Sequence, residues 1–418
     1  MFIGAIADDL TGATDLCLML ARGGMRVVQV IGVPEAAFDF GAADAVVVAL
    51  KSRTVPKEDA VAQSLAAARR LLDAGARQIF FKYCSTFDST DEGNIGPVTE
   101  ALLEATGAAL TIACPAFPAN GRTVYRGHLF VGDLLLSDSS MKDHPLTPMR
   151  DANLVRVLGR QTALPVGLVG YETVEKGAGA IRAAFDRAGG EGLRMLIVDA
   201  VTDDQLRAIG KAAAGLKLVT GGSGVAIGLP ANFGFQEGAA SAHPFSAPAG
   251  RAAIIAGSCS AATRRQIAAA RAAGVPALKV DPQEIAEGRM TAEAAARWAI
   301  GSDHATPLVF SSDDPAEVAR AQAALGRDEA GALVEHLLAE VAVRLRAAGF
   351  RRFVVAGGET SGAVTHALGP KALAIGPEID PGVPWTVSLG DDEPVALALK
   401  SGNFGTDDFF LKAWDLLR

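Results

Sequence analysis

The sequence predicts an α/β protein of two domains, each a mainly parallel sheet flanked by helices. Three observations carry that prediction. Apolar, β-branched runs alternate with Ala- and Leu-rich helical stretches almost throughout, and strands separated by single helices form parallel βαβ units with right-handed crossovers. The runs are solidly apolar, as strands covered on both faces are. Around residues 233–250 the pattern gives way to Gly, Ala, Ser and Pro, as in Gly238-Ala239-Ala240-Ser241-Ala242-His243-Pro244, which reads as an interdomain connection. The expected domains are therefore residues 1–235 and 251–418, joined by a linker at 236–250.

The elements follow in order. An apolar run, Phe2-Ile3-Gly4-Ala5-Ile6-Ala7, ends in two adjacent carboxylates, Asp8-Asp9, and a Thr11-Gly12 turn leads into a helical pattern through Leu16, Leu18, Met19 and Leu20. Strand-like runs come next at 27–31 and 45–50, then a helix over 57–74, a strand at 78–82, a helix over 98–105 and a strand at 110–113. Residues 193–199 precede a helix that starts at Asp203, and 216–220 run into Gly221-Gly222. Beyond the linker, 251–256 open the second alternation, with a helix over 266–273, a strand at 308–311, a long helix over 331–348 and a strand at 353–356. Both halves open with strand, polar turn and helix, and both later run a strand into paired glycines. This fits either an internal duplication or two α/β domains that obey the same rules.

Composition narrows the function. A chain of 418 residues is long enough for two or three domains of ~100–200 residues each. With 50% hydrophobic and 21% charged residues it has the make-up of a soluble globular protein. A net charge of −8 argues against nucleic acid as the main partner, while leaving an anionic small molecule open. Four cysteines (Cys17, Cys84, Cys114, Cys259) lie far apart with no CxxC pair, which predicts reduced thiols rather than a disulfide frame. No signal peptide and no apolar run of membrane-spanning length is present, so the expected location is the cytoplasm.

Polar residues gather where strands end, which is where ligands bind in open α/β sheets. Asp8 and Asp9 are one such pair. An Asp ahead of a helix is also a ready N-cap, but two neighbouring anions need a cation, a donor or a proton. Lys51-Ser52-Arg53-Thr54 ends another strand and offers Arg53 as a bidentate carboxylate partner. Lys82-Tyr83-Cys84-Ser85-Thr86-Phe87-Asp88-Ser89-Thr90 ends a third, with Lys82 as a point charge and Ser85, Thr86 and Ser89 as hydroxyl donors. Together these supply the groups that a small polyhydroxy acid requires. In the second half, Gly257-Ser258-Cys259-Ser260, Gly357-Gly358-Glu359-Thr360-Ser361-Gly362 and Lys400-Ser401-Gly402-Asn403-Phe404-Gly405 each follow a strand. Glycines let a backbone approach a ligand, and a helix N-terminus suits phosphate. No GxxxxGK[ST] loop occurs. The six histidines lack metal-ligand spacing and no G-x-S-x-G elbow is present, which disfavours a zinc site or a serine nucleophile. Cys84 and Cys259 read as buried small residues.

These pieces in this order resemble the four-carbon acid sugar kinase family, and within it the 3-oxo-tetronate kinases. The matching stretches are Ile6-Ala7-Asp8-Asp9-Leu10-Thr11-Gly12-Ala13, the cluster from Lys82 to Thr90, Tyr125-Arg126-Gly127-His128, Gly357 to Gly362, Ile379-Asp380-Pro381-Gly382-Val383-Pro384-Trp385, and Lys400 to Gly405. The resemblance implies a sugar-acid domain followed by a nucleotide domain, with the active site in the interdomain cleft. It also implies ATP- and Mg²⁺-dependent phosphorylation of the 4-hydroxyl of a 3-oxo-tetronate such as 3-dehydroerythronate. Asp8 and Asp9 then stand as catalytic candidates, with Thr11, Arg53, Lys82, Ser85 and Thr86 toward the substrate. Ser258, Gly357, Gly358, Glu359, Thr360, Ser401 and Gly402 stand toward the nucleotide. Metal ligands stay unassigned and a homodimer is admissible. Family members that act on threonate or erythronate read Lys-x-Asp-Ser-Thr-Leu-Arg-Gly where this chain has Lys82-Tyr83-Cys84-Ser85-Thr86-Phe87-Asp88, which disfavours those substrates. On this reading Asp8 or Asp9 takes the hydroxyl proton while Lys82 and Arg53 hold the substrate carboxylate. A sugar-acid isomerase or aldolase, or a binding protein without chemistry, is the alternative from another class. Asp15, inside the helical pattern, is expected to be structural.

Overall fold

The computed structural model describes residues 1–144, 146–238, 245–312 and 314–417. The chain forms two compact units, Met1–His243 and Pro244–Arg418. Residues 239–244 of the expected linker lie outside the described residues.

The first unit runs β1 (Ile3–Ala7), α1 (Leu10–Arg22), β2 (Val27–Ile31), β3 (Ala45–Ala49), α2 (Lys57–Asp73), β4 (Gln78–Lys82), α3 (Ile95–Thr106) and β5 (Thr111–Cys114). A small antiparallel sheet follows, made of β6 (Arg122–Tyr125), β7 (His128–Val131) and β8 (Leu134–Leu135). Then come α4 (Leu154–Gln161), β9 (Val166–Val169), α5 (Tyr171–Val174), α6 (Ala178–Gly190), β10 (Met195–Val198), α7 (Asp203–Ala212) and β11 (Leu218–Gly221). The main strands pair in the order β2-β3-β1-β4-β11-β5-β10-β9, all parallel. Their side chains are sealed on both faces: Ile3, Ile6, Val47, Phe80, Ile112, Ile197 and Val219 are fully buried. That is why the strands read as unbroken apolar runs. Helix starts follow their caps. Thr202 and Gln205 form a capping box at α7, and the Asp9 side chain caps α1 by accepting from Gly12 N.

The second unit runs β12 (Arg251–Ala256), α8 (Ala261–Ala272), β13 (Ala277–Lys279), α9 (Pro282–Ala286), α10 (Ala292–Ile300), β14 (Leu308–Phe310), α11 (Pro315–Leu325) and α12 (Arg327–Ala347). It ends with β15 (Phe350–Ala356), α13 (Gly358–Leu368), β16 (Ala372–Asp380), β17 (Val383–Leu389), β18 (Ala396–Lys400) and α14 (Phe409–Lys412). The order is β13-β14-β12-β15-β18-β17-β16, parallel from β13 to β18 and antiparallel over the last two pairings. Its core gathers Ile254, Leu308, Val354, Trp385, Phe409 and Phe410, and the buried Trp385 indole is satisfied by Ala413 O at 2.8 Å. Helix α8 starts five residues earlier than its expected onset at 266, because Ser260 caps it through Thr263 N. Among the described residues no helix is long and apolar enough to cross a membrane.

Each sheet changes direction next to the first strand of its unit. In the first, the chain moves from β1 out to β2, returns through β3, and crosses to β4 on the far side. In the second, β13 and β14 lie on one side of β12 and β15 on the other. Such switch points leave a crevice at the carboxyl ends of the strands.

Candidate active site

Strand register assembles the first cluster. Ala7 lies opposite Ala49 on one side and Lys82 on the other, so the residues that follow β1 and β3 meet the end of β4. The backbone locks them there: Asp8 N donates to Lys82 O at 3.0 Å, and Ser52 N donates to Asp8 O at 3.0 Å. The segment carrying Arg53 is held by Asn94, whose side-chain amide donates to Ser52 O (2.9 Å), Arg53 O (3.2 Å) and Val55 O (2.9 Å).

Arg53 is the hub. Its Nε and Nη2 donate to Asp8 Oδ2 and Oδ1, each at 2.8 Å, and Nη2 also reaches Asp9 Oδ1 at 2.8 Å. Nη1 lies 3.6 Å from Asp88 Oδ2. The expected role of Arg53 as a clamp for the substrate carboxylate is therefore revised, since its fork is taken by the protein's own acids. A bidentate guanidinium–carboxylate pair is among the stronger polar contacts, and it answers why two adjacent anions can share this strand end. The space behind the pair, lined by Asp8, Ser52, Arg53, Asp88 and Asn94, is only about 10 Å³, so a sugar acid cannot enter from that side.

The two leading acids differ. The Asp8 side chain is 7% exposed, and burial raises its pKa above the ordinary value despite Arg53. The Asp9 side chain is 25% exposed. Burial pushes its pKa up, but Arg53, Lys82 and the hydrogen bonds from Thr11 Oγ1 and Gly12 N outweigh it and bring it to about 2. Asp9 is at once the α1 cap and the more accessible carboxylate, so cap and candidate catalyst are the same residue. Gly12 leaves room for these groups: a Cβ there would lie 2.3 Å from Asp9 Oδ1 and 2.8 Å from Lys82 Nζ, so both side chains would have to move. Asp15, expected to be structural, is buried and accepts a hydrogen bond from Ser223 Oγ.

Lys82 is buried, and its Nζ donates to Tyr83 O at 2.8 Å, which leaves two ammonium protons for other acceptors. After it the chain turns sharply. Phe87 takes a φ of 54°, a strained conformation for a bulky residue, held by a T-shaped contact with Tyr83 at 5.3 Å between ring centroids. The turn leaves Ser85 half-buried and aims Thr86 Oγ1 at Asp88 Oδ1, 2.6 Å away. Cys84 is half-buried rather than buried, touches Thr86 Oγ1 at 3.0 Å, and has its thiol pushed up to about 12 by burial. A thiol so protonated is no nucleophile. Cys259 is likewise half-buried.

In the second unit register does the same work. Ala256 lies opposite Ala356, and Ala356 opposite Lys400, so the segments beginning at Gly257, Gly357 and Ser401 emerge side by side. Gly357 adopts a φ of 124°, and α13 begins after it with no side-chain cap. Thr360 is buried in the first turn of α13 and Glu359 is exposed there. Ser258 Oγ accepts from Ser260 N at 3.2 Å, and its carbonyl accepts from Ser312 Oγ. Gly402 sits so close to Ser258 that a Cβ would lie 2.5 Å from Ser258 Oγ. Ser258, Gly357, Gly358, Glu359, Thr360, Ser401 and Gly402 are thus neighbours, bordering a helix N-terminus with open N–H groups. A cavity of about 570 Å³ lined by Arg251, Arg352, His304 and Trp414 belongs to the opposite edge of the sheet, since Arg251 opens β12 whereas the loops follow its end.

Three contributors escaped the sequence reading as site residues. Asn94 and Asp88 act through Arg53, and their only signal was a polar residue after a strand. Lys400 lay inside a quoted loop, yet nothing in the sequence shows that it is buried. Among the described residues no group of three or more His, Cys, Asp or Glu side chains could hold a metal ion. A Mg²⁺ carried on nucleotide phosphates keeps several waters and needs one or two carboxylates at most.

Comparison with known proteins agrees with this division. The profile of a sugar-binding N-terminal domain matches residues 3–229, and that of a nucleotide-binding C-terminal domain matches 253–410. The chain is 56% identical to a protein of Burkholderia multivorans named 3-oxo-tetronate kinase, over 98% of this chain and 96% of that one. It is 46% identical to one of Brucella melitensis with the same name, over 99% and 95%. A solved Haemophilus influenzae structure superposes with a TM-score of 0.79 at 41% identity, covering 99% of this chain and 100% of that one. A Salmonella typhimurium structure, described as a tRNA synthase, superposes with a TM-score of 0.86 at 43% identity, covering 98% of both.

Proposed function

Because this chain belongs to the four-carbon acid sugar kinase family, we propose that it transfers the γ-phosphoryl group of ATP to the 4-hydroxyl of a 3-oxo-tetronate. The observation that carries this reading is the Asp9 carboxylate. It is ionised, partly exposed, and fixed at the switch point of the sugar-binding sheet by Arg53, Thr11 and Gly12.

Phosphoryl transfer needs positioning and charge stabilisation more than covalent chemistry. Asp9 orients the attacking hydroxyl and accepts its proton as the new P–O bond forms. Asp8, with both oxygens on Arg53, fixes the plane of the guanidinium and through it the position of Asp9. Lys82 takes the substrate carboxylate, with Ser85 and Thr86 toward the oxygens at C2 and C3. In the second unit Ser258, Gly357, Gly358, Thr360, Ser401 and Gly402 receive the nucleotide, the open first turn of α13 facing phosphate. A Mg²⁺ bound with the polyphosphate would neutralise phosphate charge, with Glu359 in the first turn of α13 toward the metal or the ribose.

The test is ADP release over a panel of tetronates and 3-oxo-tetronates, with and without Mg²⁺, the product identified by phosphorus NMR. Release with a 3-oxo-tetronate and formation of a 4-phosphate support the reading. Turnover of the same acids without nucleotide would show an isomerase or aldolase instead.

A further inference from the structure

Lys400, the last residue of β18, is fully buried. Its ammonium meets only neutral oxygens: Thr263 Oγ1 at 3.1 Å, Ser401 O at 3.0 Å and Gly402 O at 2.9 Å. Among the described residues it takes part in no ion pair. A buried cation without an anion is expensive, and burial alone brings this one down to about 7. Its strand neighbours Ala398 and Leu399 are buried apolar residues, so the strand itself does not call for a lysine here.

The oxygens it holds explain it better. Gly402 O accepts from Lys400, from Ser260 Oγ at 2.6 Å and from Thr263 Oγ1 at 3.0 Å. The same helix continues the grip through Gln266 Nε2, which donates to Phe404 O, Gly405 O and Thr406 O. Ser260, Thr263 and Gln266 thus present one face of α8 to the loop, and Lys400 closes it from beneath. This loop abuts Ser258 and leaves β18 beside the strand that feeds Gly357. A buried amine that a nearby anion would hold in its charged form thus lies directly beneath the 401–402 loop, and the backbone of Lys400 accepts from Gly357 N, at the start of α13.

We propose that Lys400 is a positioning residue whose ammonium is the buried counter-charge for the phosphates of bound nucleotide, acting through the 401–402 segment that it holds against α8. This rests on the nucleotide-binding reading of the second unit.

The test compares adenosine, ADP and ATP binding by calorimetry to the full-length protein and to Lys400→Met and Lys400→Gln. Glutamine retains two donors and removes the charge, so it serves if the methionine variant does not fold. Both variants should weaken ATP at least tenfold while adenosine changes less than twofold, and KM for ATP should rise with kcat within about threefold. A lysine that merely shapes the loop would weaken adenosine and ATP alike; that result, or unchanged ATP affinity, overturns the proposal. If the unsubstituted protein binds no nucleotide, the nucleotide reading itself fails.

Discussion

Arg53 faces three carboxylates, and the way its fork is shared decides what each can do. Asp8 takes two of its bonds and Asp9 one, and Asp9, the more exposed of the two, is the one we propose meets the substrate hydroxyl. Asp9→Asn should lower kcat by ~10²–10⁴-fold with little change in KM, because general-base help is of that size. Asp8→Asn should instead raise KM and lower kcat together, through a displaced Arg53; steady-state kinetics on the two variants separates the roles. Arg53→Ala leaves acids facing one another without their counter-ion, and removal of one partner from a buried pair costs about 3–5 kcal/mol, measurable by urea unfolding. The pH dependence has a definite sign. The Asp9 carboxyl titrates at about 2 in the folded chain against an ordinary 3.8, so the folded state binds that proton less tightly than the unfolded one. Its contribution is complete above about pH 4 and is lost as pH falls toward 2. Unfolding midpoints between pH 5 and pH 3 should therefore fall less steeply for Asp9→Asn than for the unsubstituted protein. Equal slopes would contradict the assignment.

At the scale of elements, the site is made by register and by the loops that strand ends throw up. The positions of β1, β3, β4, β12 and β15 were legible from apolar runs alone, and the acidic, basic and glycine-rich residues at their ends were legible as polar breaks in those runs. Their partners were not. Arg53 was expected to bind substrate and binds Asp8 and Asp9, because the pairing depends on parallel register, which a single strand pattern does not encode. The turn at Phe87 carries no Gly or Asn to announce its positive φ; packing on Tyr83 imposes it. The sheet of β6, β7 and β8 escaped notice because its strands are short and partly exposed, and β16 because Gly376-Pro377-Glu378 interrupts its apolar run. Asn94 is the element-scale prediction. Its three bonds tie the β3–α2 connection in place, so Asn94→Ala should destabilise by about 1–3 kcal/mol and raise KM for the sugar acid. It should leave KM for ATP unchanged.

For the whole molecule, each unit repeats one device: a sheet that reverses its strand order next to its first strand and gathers polar residues at the carboxyl edge there. The opening echo between the halves has this common geometry, while their sheets differ, one being wholly parallel and the other ending in antiparallel strands. Family membership was legible from the loop sequences; the burial of Lys400 was not, since burial is a property of the assembled sheet. Binding to the folded state alone raises stability, by ~2.7 kcal/mol at a ligand concentration 100 times Kd. Saturating ATP with Mg²⁺ should accordingly raise the unfolding midpoint of the unsubstituted protein, and do so less for Lys400→Gln at the same concentration. Chelation of Mg²⁺ should abolish turnover. The most direct test of the central claim is ADP release, with phosphorus NMR of the product, for the unsubstituted enzyme and Asp9→Asn on 3-oxo-tetronates and on the corresponding tetronates. A 4-phosphate is expected from a 3-oxo-tetronate, little from the tetronates, and a loss of at least ~10² in kcat for Asp9→Asn. ADP release confined to the tetronates, or an Asp9→Asn enzyme with undiminished kcat, would contradict it.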